Sequence, residues 1–169
     1  MWQIIVIIML TVGLVICGLI YLYMHKLEVS KYHAAAYRMV KEETLELSLK
    51  NKLLVGYHGQ KLMVYLKWRN GDRQGYVFSP EKGIRIGRIP ECNEICIQEN
   101  LISGEHCKIY ISENRLAVQD FQSANGTWVR RGLFKHRVQG AEYIMTGDVL
   151  QIGSIKIKII LFWIDTSNI

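Results

Sequence analysis

Residues 102–129 read ISGEHCKIYISENRLAVQDFQSANGTWV, and this stretch decides the fold class. It holds three short runs suited to β-strands, Cys107–Ser112, Arg115–Gln119 and Thr127–Val129, each bounded by polar turns. The same texture extends in both directions. Upstream, Lys61–Trp68 and Gln74–Ser79 flank Asn70-Gly71-Asp72, whose Asn-Gly pair favours the positive φ angles of a tight hairpin. Gly83–Gly87 and Glu94–Ile97 follow, and downstream come Val149–Ile152 and Ile155–Trp163. No helical crossover segment lies between any of these runs, so short antiparallel strands in a two-sheet sandwich are expected rather than a parallel α/β sheet.

Three turns between these strands carry distinctive residues. Gly87-Arg88 closes one strand, Ser103-Gly104-Glu105-His106 leads into the next long one, and Asp120 to Val129 contains Asn125-Gly126-Thr127. Near the end stand Gly147-Asp148 and Ile152-Gly153. Taken in order and at their spacing, these fragments strongly resemble the forkhead-associated (FHA) family, over roughly Lys61 to Trp163. The resemblance implies an all-β, FHA-type sandwich of about 11 strands in two sheets, with a phosphothreonine-peptide site on the loops at one end.

A phosphate dianion is held best by a planar guanidinium that donates two N–H bonds, helped by hydroxyl and backbone N–H donors. By resemblance, Arg88 and Ser103 would contact the phosphate, Gly104 would offer its backbone N–H, and Asn125 would hydrogen-bond the peptide backbone. Gly87, His106, Gly126 and Thr127 would support the loops without touching ligand. Position 104 is Gly where the family usually carries Arg or Asn, and position 124 is Ala where Ser or Thr often adds a phosphate contact. Each lost hydrogen bond to a charged group is worth about 1.5–3 kcal/mol before water replaces it. Arg130, Arg131, Lys135 and Arg137, with no acid between Trp128 and Gly140, could supply compensating positive potential or simply form a solvated basic face.

The N-terminal part belongs to a different solvent. From Trp2 to Met24 there is no charged side chain, and such a helix reaches roughly 30–35 Å, enough for a hydrocarbon core of about 30 Å. An uncharged start and a long apolar run favour a retained anchor over a cleaved signal peptide, although Ala34-Ala35-Ala36 offers small residues. Lys26, Lys31, Arg38 and Lys41 all follow the run and none precedes it, so the expected topology is single-pass, N-terminus outside, C-terminal domain cytoplasmic. The expected division is a transmembrane helix at 1–25, a juxtamembrane helical linker at 26–55 and an FHA domain at 56–169 with its core at 61–163. Leu45, Leu49 and Leu53 give the linker an apolar face for the domain, a partner helix or a second copy, so oligomerisation through the helices is open.

Four cysteines, three of them in the soluble part, suit free thiols in a reducing compartment. Cys92 and Cys96 lack a second ligand pair at metal spacing, and neither a metal nor a cofactor is expected. Ser103, His106 and Asp120 evoke a catalytic triad, but the first two already have places in the loop motif and the chain has no nucleophile elbow or phosphate-binding Gly-rich loop. An enzyme is therefore not expected. The formal net charge of +6 comes with no nucleic-acid reading motif, so nucleic acid is not an expected partner. The expected partners are lipid, through residues 2–24, and a threonine-phosphorylated protein, such as a membrane Ser/Thr kinase or its substrate. One span followed by one FHA domain also resembles small bacterial membrane proteins linked to cell-wall synthesis and division. A phosphorylation-independent scaffold in a division or secretion complex is the alternative.

Overall fold

The computed structural model describes residues 1–49 and 59–166, with helix side chains described as far as Glu43. One continuous helix, α1 (Trp2–Leu49), precedes eleven strands. These are β1 (Gln60–Asn70), β2 (Asp72–Phe78), β3 (Ile84–Gly87), β4 (Ile95–Cys96), β5 (Cys107–Ser112), β6 (Arg115–Asp120), β7 (Thr127–Arg131), β8 (Phe134–Arg137), β9 (Ala141–Tyr143), β10 (Val149–Ile152) and β11 (Ile155–Asp165). They form two sheets, ordered β2-β1-β11-β10-β7-β8 and β4-β3-β5-β6-β9. All pairings are antiparallel except the short parallel contact of Ile86 and Gly87 with Ile95 and Cys96.

Alternation along each strand builds the core. Ile155, Ile157 and Ile159 of β11 point inward with Val64 and Leu66 of β1, and meet Ile86, Ile109 and Val118 of the facing sheet. Such large aliphatic side chains each contribute about 1.5–3 kcal/mol when fully buried. Cys107 lies in the same core, and burial pushes its thiol up to about 12. All four cysteines are free thiols.

The outer face of the larger sheet is also covered. Tyr32, Ala35, Ala36 and Val40 of α1 pack on Met63 and Tyr65 of β1, Val77 of β2, and Phe162 and Ile164 of β11. The Tyr32 ring lies 4.8 Å from both Tyr65 and Phe162. Two ion pairs bracket this patch, Glu28 with Lys67 and Glu43 with Lys61, the latter at 3.0 Å. Burial works against the Glu43 charge, yet hydrogen bonds from Lys61 and Lys82 hold its carboxyl below the usual range. Double coverage explains why residues 62–66 are uniformly apolar where a half-exposed strand would alternate.

The apolar stretch of α1 before Met24 is exposed throughout and is long and apolar enough to cross a membrane. No break separates it from the expected linker, which continues as the same helix to Leu49. The face at Leu45, Leu49 and Leu53, the linker's end at 50–55 and the first residues of the expected domain lie outside the described residues. Docking instead uses residues spaced three and four apart from Tyr32 to Val40.

Candidate functional site

Three loops converge at the end of the sandwich where β3, β5, β6 and β7 meet. Gly87 ends β3, and its backbone passes so close to the neighbouring loop that a Cβ would lie 2.2 Å from the Gly104 carbonyl oxygen and 2.6 Å from Asn93 Oδ1. That approach lets the Arg88 N–H donate to the carbonyls of Ser103 (2.9 Å) and Gly104 (3.0 Å). Asn93 clamps the same junction, its Nδ2 donating to Ile89 O (2.7 Å) and Gly104 O (2.6 Å).

Arg88 is exposed, and only its Nε is engaged, donating to Ile102 O at 3.2 Å. Its two terminal amino groups meet no acid among the described residues. Ser103 lies beside it, with Oγ accepting the Ala124 N–H at 3.0 Å and its own proton left to donate. The Gly104 N–H has no protein acceptor among the described residues, while the Ile89 side chain fills the space a larger residue at 104 would need. Asn125 is exposed, its Nδ2 donating to Leu101 O at 2.8 Å and its Oδ1 free to accept.

The supporting residues are buried beneath these. His106 is wholly buried, its Nδ1 accepting the Ser103 N–H at 3.1 Å and its Nε2 reaching Gly126 O at 3.4 Å. Burial holds this imidazole below its ordinary range, outweighing the opposing pull of the Gly126 carbonyl and the Asp120 charge. The ring is therefore neutral with its proton on Nε2, joining the Ser103 loop to the Asn125 loop. Asp120 accepts from the Thr127 hydroxyl (2.6 Å), the Ser123 hydroxyl (2.7 Å) and the Ser123 N–H (3.0 Å). Burial raises its carboxyl, but these bonds more than compensate and hold it below the usual range. Gly126 adopts φ +71°, a left-handed angle suited to glycine.

The basic run divides. Arg137 lies across Gly126, where a Cβ would be 2.4 Å from its Nε, so it is the cation of the run at the site. Arg131 is instead bound to Asp148 through Nε (2.9 Å) and Nη2 (2.7 Å) and donates to Tyr143 O, so the expectation that it adds free positive potential is corrected. Lys135 sits over the Trp128 ring at 4.8 Å. The sequence signals Arg137 only as one member of a basic stretch, and it gives no signal for Asn93, an isolated residue whose clamp depends on tertiary approach.

The FHA domain family model matches residues 84–153. The oxoglutarate dehydrogenase inhibitor of Corynebacterium glutamicum is 34% identical over 99 residues, which cover 59% of this chain and 64% of that protein. The matched stretch spans under two thirds of the curated relatives, and as little as 26% of one of them. Among solved structures, the FHA domain of the CT664 protein from Chlamydia trachomatis aligns with a TM-score of 0.52 at 21% identity, covering 58% of this chain and 96% of that one. Mycobacterium tuberculosis EmbR, in complex with a low-affinity phosphopeptide, aligns with a TM-score of 0.50 at 24% identity, covering 57% of this chain and 24% of that one. The β-sandwich of this chain, with its Gly87-Arg88, Ser103 to His106 and Asn125 to Thr127 loops, is an FHA domain.

Proposed function

We propose that this chain is a membrane-anchored adaptor that binds threonine-phosphorylated proteins through Arg88, Ser103, Gly104 and Asn125, with residues 2–24 in lipid. The observation that carries the reading is Arg88. Its guanidinium is held at one nitrogen by Ile102 O, meets no carboxylate among the described residues, and stands beside a hydroxyl and an unsatisfied N–H on loops tied together by His106. A phosphate set there gains two parallel N–H bonds from the guanidinium fork, and the Ser103 hydroxyl and Gly104 N–H complete the donor set. Asn125 Oδ1 accepts from the peptide backbone. EmbR, which shares the fold, is in complex with a low-affinity phosphopeptide, and that supports phosphopeptide binding by this domain.

With Lys26, Lys31, Arg38 and Lys41 following the apolar run, the domain is cytoplasmic and the N-terminus outside. The partner is then a membrane Ser/Thr kinase or its substrate, in cell-wall synthesis or division. The missing side-chain donors at Gly104 and Ala124 favour a second reading, a phosphorylation-independent scaffold. The full chain in detergent, titrated with a degenerate phosphothreonine peptide library and with its unphosphorylated and phosphoserine counterparts, separates the two. Binding that needs both the phosphate and Arg88, and vanishes in Arg88→Ala, is expected. Equal binding of phosphorylated and unphosphorylated peptides would leave the scaffold. Co-purification of partners unchanged by deletion of the local threonine kinase would remove the signalling role.

A further inference from the structure

The direction in which the site faces follows from strand register. Helix α1 and strand β1 are fastened at two levels, Glu43 to Lys61 and Glu28 to Lys67. Between these levels the helix rises about 22 Å and the strand about 20 Å, so they run side by side and antiparallel. Moving along β1 from Lys61 to Asn70 therefore moves down α1 towards its apolar N-terminal half.

Every loop of the site leaves the sandwich at that same end. β1 ends and β2 begins there, and β11 begins there at Ile155, opposite Ile152 of β10. Ile152 pairs in turn with Thr127, the first residue of β7, directly after Asn125 and Gly126. In the other sheet Cys107 pairs with Asp120, so the Ser103 to His106 loop and the 121–126 loop emerge together. The two ends are joined physically, because Glu99 accepts the Ser154 N–H at 3.3 Å and Leu101 and Ile102 close over Gly153. The opposite end holds Gly59, Asn114 and Thr166 around one shallow pocket.

At the site's end a groove brings Tyr21, Met24 and Lys31 of α1 against Arg73, Gln74 and Lys158 of the sheet. Tyr21 and Met24 are the last turn of the uncharged run, so β2 starts at the level where that run ends. Arg69 and Arg73, both exposed, face one another across the β1–β2 hairpin there, as cations placed for a headgroup layer.

We infer that the phosphothreonine site opens towards the bilayer, so that its partner is another membrane-anchored protein phosphorylated within a few residues of its own span. The inference rests on the phosphothreonine and anchor readings above and adds to them which threonines are reachable. A site at the other end would stand about 36 Å farther out, the length of the 11-residue β1. A bulky soluble phosphoprotein would have to enter a narrow gap, whereas a juxtamembrane segment is delivered directly.

The full chain is reconstituted in nanodiscs with a degenerate phosphothreonine peptide fused to a polyleucine span through spacers of about 5, 12 or 30 residues, which reach up to about 17, 40 and 100 Å when extended. The shortest spacer is expected to bind within about threefold of the longest, in a phosphate- and Arg88-dependent way. Binding only by the longest spacer overturns the inference. A second measurement is independent of any ligand. A fluorophore at Gln122→Cys, on the site loop, is expected to be quenched by headgroup spin-labelled lipid several-fold more than one at Glu113→Cys, at the far turn, in a background with Cys17, Cys92 and Cys96 replaced by Ser. Equal or reversed quenching overturns the orientation. Absence of phosphate-dependent binding at every spacer, with the quenching difference intact, overturns the partner through the phosphothreonine reading instead. Failure of the chain to remain with the discs overturns it through the anchor.

Discussion

Replacing Gly87 by alanine tests whether the site is assembled by backbone contact. The added Cβ would lie 2.2 Å from Gly104 O, 2.6 Å from Asn93 Oδ1 and 2.7 Å from Asn93 Nδ2. Since non-bonded carbon contacts are comfortable at about 3.5–4.0 Å, the 103–104 loop has to retreat by more than about 1 Å. The Gly104 carbonyl accepts from Arg88 N, Ile89 N and Asn93 Nδ2 at 3.0, 3.1 and 2.6 Å, and a retreat of that size stretches all three beyond useful range. Overpacking costs about 1–3 kcal/mol and the three weakened bonds up to about 0.5–1.5 kcal/mol each, so a loss of about 2.5–7.5 kcal/mol is expected. The same retreat separates Ser103 and the Gly104 N–H from Arg88, and phosphopeptide affinity should fall at least about tenfold, a factor worth about 1.4 kcal/mol. Urea denaturation and peptide titration of the full chain in detergent read the two effects. Gly132→Ala is the control, since it carries φ +59° with open space around its Cβ and lies away from the loops. A Gly87→Ala protein indistinguishable from wild type, or merely matching Gly132→Ala, would refute the account of the site as a backbone junction.

Three further changes address the supporting residues and the helix. Thr127→Val keeps shape but removes a 2.6 Å bond to Asp120, and a loss of about 1–2 kcal/mol is expected in urea denaturation; because Asp120 is depressed, its stabilisation is present above its unfolded value and lost as pH falls through the folded one, so the difference between the two proteins should shrink below about pH 4. His106 is depressed by burial, so below its unfolded value of about 6.5 the unfolded chain binds the extra proton and stability should fall with pH, by at most about 1.4 kcal/mol per unit; ring ¹⁵N shifts still showing a neutral Nε2–H imidazole at that pH are the accompanying check, and a charged ring would contradict it. Ala36→Glu sets a carboxylate against Phe162 and Ile164, which costs several kcal/mol if it stays buried, so hydrogen exchange of the amides around residues 32–40 should accelerate while the sandwich core stays protected; unchanged exchange would mean the helix does not dock there.

The parts legible in the sequence are those where local chemistry repeats the tertiary answer. Nine strands could be read because their inward residues alternate or run apolar, as in β5 with Cys107 and Ile109 buried. The two short edge strands β8 and β9 could not. Phe134–Arg137 is exposed at all four positions and Ala141–Tyr143 buries none of its residues, so neither carries a periodic apolar signal. Gly87, Arg88, Ser103, His106 and Asn125 were legible because they stand in turns in a recognisable order, and the structure brings all five to one end. Asn93 and Arg137 act only through contacts between distant segments, and nothing in their neighbours marks them. The basic run illustrates the same limit: four cations look equivalent in sequence, yet strand alternation sends Arg131 to Asp148 and Arg137 over Gly126.

Docking makes the 28–43 segment of α1 part of the domain, and the nature of the contact says what it fixes. The apolar patch from Tyr32 to Val40 supplies the stabilisation, since each large side chain removed from water is worth about 1.5–3 kcal/mol, but apolar contacts alone tolerate a slide of the helix along the sheet. The ion pairs do not tolerate it. Lys61 is 4% exposed, and a shift by one helical turn, about 5.4 Å, would carry Glu43 away from its ammonium, a costly loss at so buried a position. Buried pairs of this kind add little net stability against an apolar replacement, and their value lies in specifying one arrangement. Glu43 answers both Lys61 and Lys82, while Glu28 answers Lys67 at the other end of the patch. Register is thereby set at two levels, and with it the height and the facing of the Arg88, Ser103 and Asn125 loops relative to the apolar run. A domain held only by a tether would sample all orientations; one held by a registered helix presents its loops in a single direction, which is why the direction of the site relative to the apolar run is a property of this fold.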